Sequence, residues 1–255
     1  MRALYGVVRH LVLTVSFYIM LLWLGAMLLI GNVACMPLLL VPRHIREPFM
    51  QGRISATFRL FLAGCDVFGI MRFDLHALDQ LNGRHGLVIV ANHPSMIDVF
   101  LVISRVRGAI CLMKASITAN MFLAMGAYLA GYISNRRTDL MIRQAADAVR
   151  EGGVLLVFPE GTRTIEQPVN ALQPGVGLIA KRAKAPMQAI ILETNSVYLA
   201  KGWPIWRPPP KFPMIYKARL GGCIKPSSSV PDTMRALQQH FESELHLSVD
   251  PSIQL

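Results

Sequence analysis

The chain is poor in acid, in charge overall and in cysteine. Of 255 residues only 15 are Asp or Glu against 26 Lys and Arg, charged residues make up 16% and cysteines number four. Few charges and 53% apolar residues exclude a disordered chain, which needs high charge and low hydrophobicity. Cys35, Cys65, Cys111 and Cys223 lie far apart with no C-x-x-C pair, which excludes a disulfide scaffold or zinc knuckle and suits reduced thiols in a cytosol-facing protein. There is no P-loop, no G-x-G-x-x-G and no G-x-S-x-G, so nothing points to nucleotide binding or to a serine hydrolase. No internal repeat occurs.

Charge is also missing from one long stretch. Leu11 to Leu40 holds no charged side chain, and as a helix rising about 1.5 Å per residue it exceeds the roughly 30 Å hydrocarbon core before reaching Pro37. A cleaved signal peptide would have a shorter apolar region, of about 7–15 residues. The run is therefore expected in lipid, as a spanning helix or as one arm of a hairpin dipping into a leaflet. Arg2 and Arg9 before it and Arg43 and Arg46 after it leave its orientation open. Ile54, Phe58, Phe61, Leu62, Cys65 and Phe68 recur near helical spacing, interrupted by Arg53, Arg59 and Asp66. That pattern predicts an amphipathic helix at the interface, with a core helix of the following domain as the alternative. The net charge of +11 suits anionic lipid or nucleic acid equally; the apolar run decides for a membrane and against nucleic acid.

What is present after residue 72 is alternation. Apolar runs at 87–91, 109–113, 154–158, 189–194 and 214–221 read as strands, and 96–106, 116–130, 138–150 and 176–184 as helices, the third capped by Thr138 or Asp139. The expectation is an α/β fold: a mostly parallel or mixed central sheet flanked by helices, preceded by an N-terminal membrane-embedded helical segment. The expected division is a membrane segment, 1–72, and an α/β domain, 73–255. In such sheets the site lies beyond the carboxyl ends of the strands.

Two polar clusters fall at such ends. In Asn92-His93-Pro94-Ser95-Met96-Ile97-Asp98 the proline suits the first turn of a helix, placing His93 at or beside its N-cap and Asp98 one turn along. A carboxylate that takes one imidazole proton fixes the tautomer and leaves the other nitrogen free to accept one, which makes a general base. In isolation such a pair is more often a cap and a solvated acid than a catalytic pair. The second cluster, Phe158-Pro159-Glu160-Gly161-Thr162-Arg163, joins a carboxylate, a glycine turn and a planar guanidinium suited to phosphate. Lys114 and Arg136-Arg137 add cations near the same edge. Lys201 to Pro213 combines Trp203 and Trp206 with basic residues and prolines, an interfacial loop or an ordinary packed one.

Together the pieces resemble the glycerolipid, or lysophospholipid, acyltransferase superfamily across about residues 88–191. N-H-x4-D matches Asn92, His93 and Asp98, and F-P-E-G-T-R matches Phe158 to Arg163 without a gap. The resemblance implies His93 as general base, Asp98 as its orienting partner, Glu160, Gly161 and Thr162 at the acceptor, and Arg163 with Lys114 on phosphate. A further motif aligns Gly131, Ile133 and Arg137, but its apolar pair becomes Ser134-Asn135; the fourth motif is weakly kept at Gln188-Ala189-Ile190. The spelling is similar to a subgroup linked to aryl-polyene-type lipids. What this implies is a membrane-bound O-acyltransferase of phospholipid biosynthesis. It would move a fatty acyl group from an acyl carrier protein or coenzyme A thioester to the hydroxyl of a 1-acylglycerol-3-phosphate-like lysophospholipid, without metal or cofactor, at the cytoplasmic side of the inner membrane. The readings of other classes are a non-catalytic basic membrane adaptor and a thioesterase.

Overall fold

The charge-free run becomes helix α1 (Arg2–Ala34), and it stops where Cys35 and Pro37 lead into a 3₁₀ turn, Met36–Leu40. In the computed structural model, which describes residues 2–247, a second helix α2 (Arg43–Val67) returns along α1. Gly64 permits this close approach, since a Cβ there would sit 2.8 Å from the Trp23 ring and 3.2 Å from the Met20 sulfur. Among the described residues one helix, α1 with its continuation, is long and apolar enough to cross a membrane. Phe17, Met20 and Leu24 on one of its faces are buried, whereas Leu11, Val15, Ile19 and Leu22 are exposed. The stripe on α2 faces the protein: Phe58, Phe61, Leu62 and Cys65 join the main core, Phe58 stacks on Phe100 at 4.1 Å, and Phe68 alone of the spaced set is well exposed.

The remaining chain runs β1 (Met71–Asp74), β2 (Leu87–Ala91), α3 (Asp98–Arg105), β3 (Ala109–Met113), α4 (Ala124–Leu129), β4 (Ile133–Ser134), α5 (Thr138–Arg150), β5 (Val154–Val157), α6 (Gly175–Ala183), β6 (Met187–Thr194), β7 (Met214–Ile224) and α7 (Val230–Leu247). Seven strands form one sheet in the order β1-β7-β6-β2-β5-β3-β4. Neighbours are parallel except β6 and β7. The exception has a simple cause. No helix forms between Thr194 and Met214 to carry the chain back across the sheet, so β7 starts at the edge where β6 ends and runs the other way.

Apolar side chains alternate between the two faces. Leu87, Ile89 and Ala91 join the core under α1, α2 and α3, while Val88 and Val90 join the one under α5, α6 and α7. All five β2 residues are buried, which explains their unbroken apolar run. Two expected elements differ. The helix expected over 116–130 is split into a 3₁₀ turn, Ala115–Ala119, and the short α4, with Asn120 accepting the Phe122 N–H between them. Helix α5 begins as expected, but its N-cap is Arg137 with no side-chain cap, and Asp139 in the first turn pairs with Arg137 instead. The basic loop before β7 is partly packed: Phe212 meets His10 and Phe17, and Arg207 lies over Trp203, whereas Trp206 is 68% exposed.

Candidate active site

The first cluster is placed by the way β2 stops. The Asn92 side chain takes over where the backbone ladder ends, donating from Nδ2 to Leu192 O at 2.9 Å and accepting the Leu192 N–H at 2.7 Å. His93 therefore leaves the sheet at a fixed point. Its N–H donates to Glu160 Oε1 at 2.8 Å, its carbonyl accepts the Thr164 N–H at 2.8 Å, and its ring stacks on Phe158 with centroids 4.2 Å apart.

The imidazole Nδ1 lies 2.9 Å from Asp98 Oδ2, which also accepts the Ser95 N–H at 2.8 Å. Helix α3 starts at Asp98 rather than at Pro94. Residues 94–97 form a tight turn stitched by the Asp98 carboxylate and by the Ser95 hydroxyl, which donates to Tyr198 O. The acid is 1% exposed and the imidazole 16%. Burial pushes the Asp98 carboxyl above the usual carboxylate range, and hydrogen bonding from His93, its charge, the Ser95 N–H and the nearby Arg163 oppose that push. A carboxylate so placed accepts from Nδ1 and fixes the tautomer of the ring.

The second cluster meets the first but turns inward. Glu160 is 3% exposed; Oε1 accepts from the His93 N–H and, at 2.8 Å, from the Thr164 hydroxyl, and Oε2 accepts from the Asn170 N–H at 3.0 Å. Burial raises its carboxyl above the ordinary range and these three donors partly offset the rise. Gly161, at φ +68°, makes the turn that lets Glu160 face in while the chain moves on. Arg163 Nη1 donates to Leu199 O at 2.8 Å and Ala200 O at 2.9 Å, and Thr162 accepts from Lys201. Residues 198–201 are thus strapped from both sides, since Met96 N–H also donates to Leu199 O.

Lys114 and Arg137 stay apart from this cluster. Both are exposed at the same edge, Arg137 bonded to Asp139 at 3.0 Å. With β5 between β2 and β3, Lys114 is two strands from His93's strand, about 10 Å, and β4 is about 14 Å away. The structure so brings His93, Asp98, Glu160, Gly161, Thr162 and Arg163 together and leaves Lys114 and Arg137 at its border. Sequence reasoning missed Ser95, Asn170 and the 198–201 segment. Their contacts are with residues 3 to 103 positions away, and only the nearest could have been read from spacing. Among the described residues no three His, Cys, Asp or Glu side chains gather closely enough to hold a metal ion.

Residues 72–193 match the profile of the family described as Acyltransferase. They form an acyltransferase domain. It runs from β1 into β6 and contains both clusters, while the strap at 198–201 lies beyond its end. A protein of Caenorhabditis elegans named as a 1-acyl-sn-glycerol-3-phosphate acyltransferase, acl-1, is 24% identical over 196 residues, 72% of this chain and 71% of its own length. A Chlamydomonas reinhardtii protein of the same name class is 27% identical over 111 residues, 42% of this chain and 33% of its own. The crystal structure of the 1-acyl-sn-glycerophosphate acyltransferase PlsC from Thermotoga maritima shares the fold of the acyltransferase domain and its flanking helices. Its TM-score is 0.67 at 18% identity, over 95% of this chain and 98% of that one.

Proposed function

We propose that the chain transfers a fatty acyl group from an acyl carrier protein or coenzyme A thioester to the hydroxyl of a lysophospholipid resembling 1-acylglycerol-3-phosphate. One observation carries the reading: an imidazole packed against Phe158 and bonded through Nδ1 to a buried carboxylate. Nε2 takes the proton of the acceptor hydroxyl as its oxygen attacks the thioester carbonyl. The C–O bond forms, the C–S bond breaks, and the thiolate leaves with the proton from the imidazolium. Asp98 holds the tautomer and stabilises the transient imidazolium. Glu160 acts as a positioning residue, because it fixes the His93 backbone, and Arg163 acts through the 198–201 strap; the exposed Lys114 and Arg137 approach a phosphate from solvent.

Residues 1–72 serve as the membrane segment and 73–255 as the catalytic body, at the inner membrane with the site on the cytoplasmic side. The outward apolar face of α1 supports this, as does the acceptor itself, whose chain would lose about 0.8 kcal/mol per CH₂ on entering water. A specialised lipid, of the aryl-polyene kind, is the second reading of the acceptor, favoured by Ser134-Asn135 in place of an apolar pair. The test is lipid mass spectrometry on the purified chain given acyl thioester with lysophosphatidic acid or a phosphate-free alcohol. New ester supports transfer; free fatty acid alone indicates a thioesterase, and binding with no thioester consumed indicates an adaptor.

A further inference from the structure

Helix α3 has a second polar end. Its first residue, Asp98, bonds the imidazole; its last, Arg105, lies about 10 Å further along the helix axis. A cavity of about 520 Å³ opens there, within the roughly 300–1,000 Å³ usual for ligand sites. Its wall carries three guanidiniums, Arg59, Arg105 and Arg107, and one carboxylate, Asp79. Asn82 and Gly83, also on the wall, precede β2, and Arg107 precedes β3. The cavity therefore sits at the amino ends of the strands, whereas His93 follows the carboxyl end of β2.

The frame of the cavity is tied on three sides. From α2, Arg59 Nε donates to Ser104 O at 3.3 Å; the Arg107 N–H donates to Asn82 Oδ1 at 3.1 Å; and Arg105 Nη2 donates to Asp79 and, at 3.1 Å, to His76 Nδ1. These bonds use few of the donors present, since each guanidinium has five N–H groups. Among the described residues the Arg107 side chain has no acceptor, Nη1 of Arg59 and of Arg105 has none, and neither Arg59 nor Arg107 is in an ion pair.

Three like charges around one cavity repel one another, and the single carboxylate is already engaged by Arg105. The carbonyl end of α3 offers partial negative charge, but Ser104 O is covered by Arg59 and, at 3.4 Å, by the Ser55 hydroxyl. An entering anion relieves the repulsion and meets donors already in place. Planar five-donor forks suit phosphate oxygens in particular. An adjoining cavity of about 160 Å³ shares Arg59, Ser104 and Arg105 and adds the apolar Leu62, Phe73 and Leu75, so the cationic bay has an apolar neighbour.

We infer that this cavity is an anion site, in which Arg59, Arg105 and Arg107 bind a phosphate group at a place separate from the catalytic cluster. The phosphate is either free in solution or carried on a phospholipid headgroup; the chemistry that recognises it is the same. The site stands independently of the acyl transfer proposed above, because none of its lining residues belongs to the cluster around His93.

The experiment is calorimetric titration of the full-length protein in non-ionic detergent. Pyrophosphate is the free probe, dihexanoyl phosphatidylglycerol below its micelle concentration is the headgroup probe, and dihexanoylglycerol is the phosphate-free control. Saturable binding of one or both phosphate probes, with none of the control, is expected, and the probe that binds identifies the source. Arg107→Gln, whose side chain holds nothing in the fold, should weaken that binding about tenfold, and the double variant Arg59→Gln, Arg107→Gln about a hundredfold. Arg182→Gln removes the same charge from an exposed position on α6 and should change binding less than twofold. His93→Ala should bind as the wild type does, so a chain that forms no ester still tests the site. Failure of both phosphate probes to bind, or undiminished binding in the double variant, overturns the inference. Equal losses in Arg107→Gln and Arg182→Gln overturn it too, because net charge rather than the cavity would then hold the anion.

Discussion

The loops that follow β2 and β5 are built from similar materials and are used in opposite ways. Each ends a buried strand, contains a proline and carries a carboxylate within hydrogen-bond reach of His93. After β2 the carboxylate of Asp98 bonds the imidazole Nδ1. After β5 the carboxylate of Glu160 bonds backbone, its oxygens occupied by the His93 N–H, the Thr164 hydroxyl and the Asn170 N–H. Even Arg163, the residue best shaped for phosphate, gives one nitrogen to two carbonyls of the chain. A polar motif at a strand end is thus either chemistry or the frame that holds the chemistry, and only the partners tell which.

Four substitutions test that contrast. His93→Ala should lower ester formation by about 10²- to 10⁴-fold, the usual worth of a general base, in protein that still unfolds cooperatively; near-full activity in the folded variant sinks the β2 half of the comparison. Asp98→Asn should cost about 10- to 100-fold, the scale seen for partners that orient a functional imidazole. An unchanged kcat/KM in the folded variant would mean that Asp98 does not act on the imidazole.

Glu160→Gln keeps the size of the side chain but weakens charge-assisted bonds to three donors. It should lower unfolding stability by about 1–3 kcal/mol, read by denaturant titration, and activity by about tenfold through displacement of His93. Lost activity with unaltered stability would place Glu160 with the substrate rather than in the frame. Smallest is Arg137→Ala, exposed and paired with Asp139: KM for a phosphate-bearing acceptor should rise a few-fold, with no change for a phosphate-free alcohol.

Much of this architecture is readable in one dimension because it follows from local rules. The strands at 87–91 and 109–113 have the predicted bounds, as does α5, since a fully buried parallel strand and an amphipathic helix each leave a periodic mark. Two elements left too little of one. β1 has four residues and β4 two, too short for a period to show. Helix α7 does carry a signal, Pro231 in its first turn and Met234, Leu237 and Phe241 at helical spacing, which went unread. The stripe on α2 was legible as a stripe, but periodicity marks an apolar face without saying whether lipid or α3 covers it.

From its residues alone this chain settles where its helices and buried strands run, where β2 must halt at Asn92-His93-Pro94, and that an imidazole and an acid stand together there. Tertiary structure decides the direction each polar group faces, because the partners come from far along the chain: Glu160 reaches the His93 N–H across 67 positions, and Arg163 reaches Leu199 across 36. A carboxylate or guanidinium has the same letters whether it meets a ligand or a backbone. The hydrogen bonds that distinguish the two form only once the sheet has brought those strands side by side.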